Sequence, residues 1–217
     1  MSAWMAFALT TVLGYLLGTI VGGPLVASLR GIRLRETGSG NIGATNALRT
    51  GGVRMALPVL LIDVLKGVVA VTLLPLWLGA FANPQGIAFV AGVAAALGHC
   101  YPIWMGFHGG KGVATLAGVF AVLLPGVFAI LLATFVLVVL TTGYVGAASM
   151  LAACAAVVVV LIAPAAALPA GSLPFVLAMA ALVLFKHRDN FKRLRNGTET
   201  RMERLALIRQ WMRKHRS

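Results

Sequence analysis

Across residues 67–185 the chain carries one formal charge, Lys111. No soluble domain hides so long an uncharged run in a core of its own, so the solvent around this stretch is lipid. The composition agrees, with 60% of the 217 residues hydrophobic. Residues 1–27 carry no charged side chain either, and they lack the basic opening of a cleaved secretory signal, which makes them a first membrane span. In lipid every backbone polar group must be satisfied within the chain, and here that points to an all-α fold, a polytopic membrane helical bundle forming one domain.

Charge orients the bundle. Lys and Arg gather at Arg30, Arg33, Arg35, Arg49 and Arg54, then at Lys111, then from Lys186 onward to Arg216. The positive-inside rule puts all three groups on the cytoplasmic side, with the N-terminus outside and the C-terminus in the cytoplasm. That requires an odd number of spans. Residues 3–27, 55–80 and 86–105 form three, and the breakers Pro125-Gly126, Gly143 and Pro164, Pro169 and Pro174 divide the rest into 112–124, 126–141, 145–162 and 172–186. Seven spans result. A helix over 112–124 reaches only about 20 Å against a hydrocarbon core of about 30 Å, so five spans plus a re-entrant segment, with Pro125 kinking one long helix, is the alternative.

Three polar segments interrupt this apolar chain, all on the predicted cytoplasmic face. "GSGNIGATNALR", residues 38–49, combines tight-turning Gly38, Gly40 and Gly43 with Ser39 and Asn41, which suit the caps of a short helix from about Ile42 to Arg49 that ends at Gly51-Gly52. The free N–H groups of its first turn favour an anion, and Thr45, Asn46 and Arg49 fall on one side of it. A basic connector for lipid headgroups is the plainer reading, and Arg30, Arg33 and Arg35 suit it; the glycines and asparagine around Ser39 do not. In "GHCYPIWMGFHGGKGVAT", residues 98–115, the turn Gly109, Gly110, Lys111 and Gly112 opens the next apolar helix. It is no nucleotide P-loop, because that spacing needs glycine at Met105 and Ser or Thr at Gly112. Phosphate binding without nucleotide machinery remains, beside a lysine that merely marks the inner interface. The third segment, "KHRDNFKRLRNGTE" at residues 186–199, puts His187 and Asn190 on one face of a helix leaving the last span, with Asn196-Gly197 as its stop. His187 suits proton transfer near neutrality; a structural histidine at a helix exit is the alternative.

The remaining polar residues sort by elimination. Thr200 and Glu203 form a capping box for a basic tail helix carrying Met202, Leu205, Ile208, Trp211 and Met212, which separates a membrane-embedded domain, 1–199, from an interfacial tail on anionic lipid, 200–217. Asp63 and Lys66, one turn apart inside a span, read as an ion pair near the active end. Cys100 and Cys154 read as small packing residues. The only carboxylates are Glu36, Asp63, Asp189, Glu199 and Glu203, too few around His99 or His108 for a metal site and too scattered for a phosphatidyltransferase built on clustered aspartates. The soluble glycerolipid acyltransferases carry Asp five positions after a catalytic His, where this chain has Trp104, Val113 and Lys192 after His99, His108 and His187.

The three segments, in this order and between spans, together with "DVLKG" at residues 63–67, resemble the acyl-phosphate:glycerol-3-phosphate acyltransferase family of the PlsY type, over most of the chain up to the tail. The resemblance implies a bacterial inner-membrane enzyme with its active site at the cytoplasmic leaflet. It would move a fatty acyl group from acyl phosphate to the 1-hydroxyl of glycerol 3-phosphate, giving lysophosphatidate and inorganic phosphate. Family positions fall on Ser39 and Arg49, on Lys111 within its glycine turn, and on His187 and Asn190. Ser39, Lys111 and His187 are the expected catalytic residues. Ser39, Asn41, Thr45, Asn46, Arg49, Gly109, Gly110, Lys111, Gly112, His187 and Asn190 are the expected phosphate ligands, with Glu199 shaping the third segment. The expected partners are the two substrates and membrane lipid, with no cofactor, metal, nucleic acid or obligate protein partner. Family members are expected to carry a basic residue and a serine where this chain has Gly143 and Gly146. A transporter of phosphate or a phosphorylated solute is the alternative function, disfavoured by the absence of an internal repeat and by polar residues confined to one membrane face.

Overall fold

The computed structural model describes residues 1–214, together with their side chains apart from those of Ala165, Arg204, Arg209, Met212, Arg213 and Lys214. Among the described residues it holds eleven α-helices, three short 3-10 turns and no strand. The chain divides into two compact units, residues 1–125 and 126–217.

The first unit contains α1 (Ala3–Gly18), α2 (Gly22–Ser28), α3 (Ala44–Gly51), α4 (Val53–Leu78), α5 (Pro84–Cys100) and α6 (Val113–Leu123). Its helices pack through small residues. A Cβ on Gly18 would lie 2.2 Å from the Ala95 carbonyl oxygen, and one on Gly98 would lie 2.1 Å from that of Tyr15, so α1 and α5 touch backbone to backbone. Gly67 on α4 and Gly118 on α6 bring that pair together in the same way, against Thr115 and Val64 respectively. With lipid outside there is no hydrophobic gain in hiding leucine, and close backbone approach with dispersion contact holds the helices instead. Many large side chains accordingly point outward, among them Leu57, Leu61, Leu65 and Trp77.

The second unit contains α7 (Pro125–Thr142, opening on the last residue of the first unit), α8 (Val145–Ile162), α9 (Ser172–Lys186), α10 (Arg188–Arg195) and α11 (Leu207–Lys214). Ala148, Ala152, Ala153 and Ala156 of α8 and Phe175, Val176, Met179 and Ala180 of α9 are among its buried residues along this pair. The tail helix begins at Leu207, after a 3-10 turn over Glu203–Leu205 whose cap position is Met202, so no helix starts at the expected cap, Thr200. The Met202 N–H is instead donated to the Gly143 carbonyl oxygen at 2.8 Å, and Ala206 is fully buried. The side chain of Met212 and residues 215–217, including Arg216, lie outside the described residues.

Five helical segments are long and apolar enough to cross a membrane, Ala3–Ser28, Val53–Leu78, Pro84–Met105, Pro125–Thr142 and Val145–Ile162, while Val113–Leu123 and Ser172–Lys186 are shorter. Pro125 does not kink one long helix. Leu124 leaves α6 at φ −141° and ψ 62°, and Pro125 starts α7, where its missing N–H costs nothing. The first segment is broken between α1 and α2, an interruption that its uniform hydropathy conceals.

Candidate functional site

The first polar loop is built around one side chain. Asn46 is 0% exposed, and its amide nitrogen donates to the carbonyl oxygens of Leu34 and Thr37, both at 3.0 Å, while its Oδ1 accepts the Ser39 N–H at 2.9 Å. Gly38 (φ +58°) and Gly40 (φ +70°) adopt the left-handed turns that wrap the chain around it, and a Cβ on Gly38 would lie 2.2 Å from Asn46 Oδ1. Asn46, expected among the phosphate ligands, is therefore the internal brace of the loop, with its amide occupied by backbone. The helix behind it starts at Ala44, and Gly43 caps it without a side-chain hydrogen bond. Ser39 and Asn41 are thus not its caps, because Ser39 stands in the preceding turn with its N–H held by Asn46. Ser39 is left exposed, and Thr45 and Arg49, one turn apart on α3, are half-buried. Beneath them Ile42 and Ala47 join a core of Val21, Val26, Leu34, Met55 and Val59, against which Met105 packs.

The second loop folds back on the end of α5. The N–H groups of Gly109 and Gly110 are donated to the carbonyl oxygens of Cys100 and His99, each at 3.1 Å. No side chain fits here: a Cβ on Gly109 would lie 2.1 Å from the His99 carbonyl oxygen and one on Gly110 2.2 Å from His99 Nε2. Gly112, at φ +79°, then caps α6. Lys111 is carried half-buried between these two fixed points. The first and second loops touch, since the Arg35 guanidinium donates to the His108 carbonyl oxygen and Met105 packs on the core under the first loop. The first unit thus brings the loop that carries Ser39 into contact with the loop that carries Lys111.

Behind the two loops lies a buried polar network. Asp63 and Lys66 form an ion pair of 3.0 Å, both nearly inaccessible. Asp63 Oδ1 accepts the Gly22 N–H at 3.0 Å, and Lys66 Nζ donates to the carbonyl oxygens of Gly18 and Ile20, both at 2.9 Å. The pair thereby satisfies the backbone groups freed where α1 breaks before α2. His99, 3% exposed, joins it with Nδ1 at 2.7 Å from Lys66 Nζ and 3.4 Å from Asp63 Oδ1. The sequence suggests the ion pair. The third member it does not, because His99 stands far along the chain and no spacing ties it to α4.

In the second unit the last long helix ends at Lys186, and His187 forms the joint to α10 at φ −102° and ψ 7°. His187 is 2% exposed, with Nδ1 at 2.8 Å from the Val183 carbonyl oxygen. A carbonyl only accepts, so the neutral ring carries its proton on Nδ1 and keeps Nε2 as the basic nitrogen. Asn190, also buried, donates to Glu199 Oε1 at 2.6 Å, and Arg193 Nε donates to Glu199 Oε2 at 2.7 Å, so Glu199 does shape this segment. Gly146 is required by the same cluster, since a Cβ there would lie 2.6 Å from Asn190 Nδ2. Gly143 turns at φ +76° and seats the chain around Met202 and Ala206, while Arg201 lies over the Tyr144 ring, 4.6 Å from its centroid. The two glycines that depart from the expected family pattern are thus fitted to the third segment and the tail.

The model of the glycerol-3-phosphate acyltransferase family matches residues 8–197. A glycerol-3-phosphate acyltransferase of Geobacter sulfurreducens is 44% identical over 193 residues, covering 89% of this chain and 96% of that protein. One from Coxiella burnetii is 42% identical over 205 residues, covering 92% of this chain and 100% of its own length. The crystal structure of PlsY (YgiH), an integral membrane glycerol 3-phosphate acyltransferase, in its glycerol 3-phosphate form superimposes with a TM-score of 0.81 at 34% identity, over 90% of this chain and 95% of that one. Its lysophosphatidic acid form gives the same TM-score at 33% identity, over 93% of this chain and 98% of that one. The chain therefore belongs to the glycerol-3-phosphate acyltransferase family of integral membrane enzymes.

Proposed function

We propose that this protein transfers a fatty acyl group from acyl phosphate to the 1-hydroxyl of glycerol 3-phosphate, releasing lysophosphatidate and inorganic phosphate for phospholipid synthesis. It does so as a seven-span protein of the bacterial inner membrane, N-terminus outside, with the reaction at the cytoplasmic leaflet. The observation that carries the reading is the family match, which runs through the first two polar segments and most of the third. The glycine turn of Lys111 beside the Ser39 loop supports it, because an acyl phosphate asks for phosphate recognition rather than a strong base.

An acyl phosphate is an activated anhydride with a good leaving group. Holding donor and acceptor together and neutralising phosphate charge supplies most of the rate. Arg49 binds phosphate as a bidentate fork and Lys111 as a point charge, assisted by Ser39, Asn41 and Thr45, while Gly109 and Gly110, whose N–H groups are held by the carbonyls of Cys100 and His99, shape the turn. His187 and Asn190 contribute from the third segment. The 1-hydroxyl oxygen attacks the acyl carbon, the bond from that carbon to the phosphate oxygen breaks, and phosphate leaves. The hydroxyl proton passes to His187 Nε2 or to a substrate phosphate oxygen. If His187 is the base, His187→Ala loses the acidic limb of the pH–rate profile; if the substrate is, the limb stays.

The direct test is phosphate release by the purified protein from palmitoyl phosphate, with and without glycerol 3-phosphate, beside palmitoyl-CoA as donor. Acceptor-dependent release from palmitoyl phosphate alone is expected. Equal use of the CoA thioester, or flux of glycerol 3-phosphate into liposomes without acylation, would overturn the reading. The basic tail, residues 200–217, lies on anionic lipid as an anchor.

A further inference from the structure

We infer that Asp63, Lys66 and His99 are positioning residues for the phosphate turn: they fix the His99 ring under Gly110 with its proton on Nε2, and so set where Lys111 stands. The inference rests on the reading of that turn as part of the phosphate site.

Proton counting leads to it. Around Lys66 Nζ stand two carbonyl oxygens at 2.9 Å and a carboxylate oxygen at 3.0 Å, all acceptors, and only an ammonium supplies three donors. An ammonium has no lone pair. His99 Nδ1, at 2.7 Å from the same nitrogen, shares one of these three protons as a fourth acceptor, which places the proton of the neutral imidazole on Nε2. Nε2 is the atom that meets the turn, 2.2 Å from where a Cβ on Gly110 would stand. The backbone oxygen of the same histidine accepts the Gly110 N–H at 3.1 Å. The His99 ring thus packs against Gly110 while the carbonyl of the same residue holds its N–H.

A staple for the helix break alone would not need the histidine. Lys66 on the carbonyls of Gly18 and Ile20, with Asp63 on the Gly22 N–H, already satisfies the break. Ionisable groups inside a span are expensive and mark function by default. What the third member adds is a fixed contact with the residue before Lys111.

The test uses the full-length protein and phosphate release from palmitoyl phosphate with glycerol 3-phosphate, reading kcat and KM separately on monodisperse samples. Gln places an N–H near the Nε2 position and Asn does not. His99→Gln is expected to keep kcat/KM within about 5-fold of the parent, and His99→Asn to lose about 30-fold or more, mainly in the terms for acyl phosphate. Gly110→Ala alone is expected to cost about 10-fold or more, and in the His99→Ala background less than about 2-fold, because the ring it collides with is gone. Lys66→Met, which removes the partner of Nδ1, should resemble His99→Asn. Equal losses for Gln and Asn, or a Gly110→Ala cost independent of residue 99, would overturn the inference. Lys111→Ala separates the two levels: if it leaves activity intact the phosphate reading itself fails, whereas a silent His99–Gly110 cycle beside an inactive Lys111→Ala removes only this proposal.

Discussion

Asn46 and Asn190 occupy the first and third polar segments, both are buried, and they are held by opposite means. Asn46 is bonded to the backbone of Leu34, Thr37 and Ser39, with no charge involved. Asn190 is bonded to Glu199, which is bonded in turn to Arg193 at the surface. One amide defines the path of a loop, and the other is a link in an ionic chain that ties a helix to the segment after it. The first segment should therefore break through geometry and the third through charge.

The largest effect is expected at Asn46. Asn46→Ala leaves one buried carbonyl, one part-buried carbonyl and one N–H without their partner, and each buried unsatisfied group costs about 1–3 kcal/mol. We expect a destabilisation of about 3–5 kcal/mol, in the range of exceptional single substitutions, with loss of activity. Asn46→Asp should be as harmful, because a carboxylate cannot donate to Leu34 and Thr37. Thermal unfolding in detergent checks both. An active, stable Asn46→Ala protein would mean that the loop path is held elsewhere.

Glycine replacement sharpens the contrast. Gly38 and Gly197 both adopt positive φ, +58° and +70°, one in each segment. An alanine at Gly38 also meets Asn46 Oδ1 at 2.2 Å, whereas at Gly197 nothing lies within 4 Å. Left-handed strain alone costs about 1–2 kcal/mol. Gly197→Ala should show that cost and near-normal kcat/KM, and Gly38→Ala a larger cost with reduced kcat/KM. Equal outcomes would dissolve the distinction drawn here between a loop shaped around a side chain and a helix stop.

In the third segment the informative pair is Glu199→Gln against Glu199→Ala. Glutamine keeps an oxygen for Asn190 and gives up the charge facing Arg193, whose side chain is 40% exposed. A half-solvated ion pair contributes about 1 kcal/mol or less. Glu199→Ala also strands the Asn190 amide and should cost about 1–3 kcal/mol more, with a matching fall in activity. A double-mutant cycle with Arg193→Gln separates the two contributions. If glutamine is as damaging as alanine, charge and not the amide contact holds Asn190.

Much of this was legible in the chain before any coordinates. A run from residue 67 to residue 185 with one charge can only be membrane helix, and glycine and proline divide it where the helices in fact divide, including at Pro125. Seven apolar helical segments stand near the expected positions, five of them of spanning length. The glycine turn of Lys111 was legible for a similar reason, since consecutive glycines before an apolar helix signal close backbone approach. What escaped was long-range and polar. Asn46 reads as a ligand because Asn binds anions and bonds backbone with the same atoms, and only the fold shows carbonyls already in place. The break between α1 and α2 is invisible to hydropathy, because its free backbone groups are satisfied by Asp63 and Lys66 from another helix. The tail's capping box has the right spacing, yet the helix starts later, at Leu207, beyond a 3-10 turn whose cap position is Met202.

The smallest effect belongs to the one ion pair of the first loop's approach, Arg33 with Glu36 at 3.2 Å, whose side chains are 81% and 64% exposed. If the first segment is held by geometry, this pair is a solvated ornament of the chain and its charges are screened. Glu36→Gln should change stability by less than about 0.5 kcal/mol and leave kcat/KM unaltered at high and low salt. The same neutralisation applied to Glu199 is expected to register in both, because its carboxylate is buried and accepts from Asn190 as well as Arg193. A salt-sensitive loss of activity in Glu36→Gln would show that charge near the first loop does structural or steering work, and the two segments would then differ in degree only.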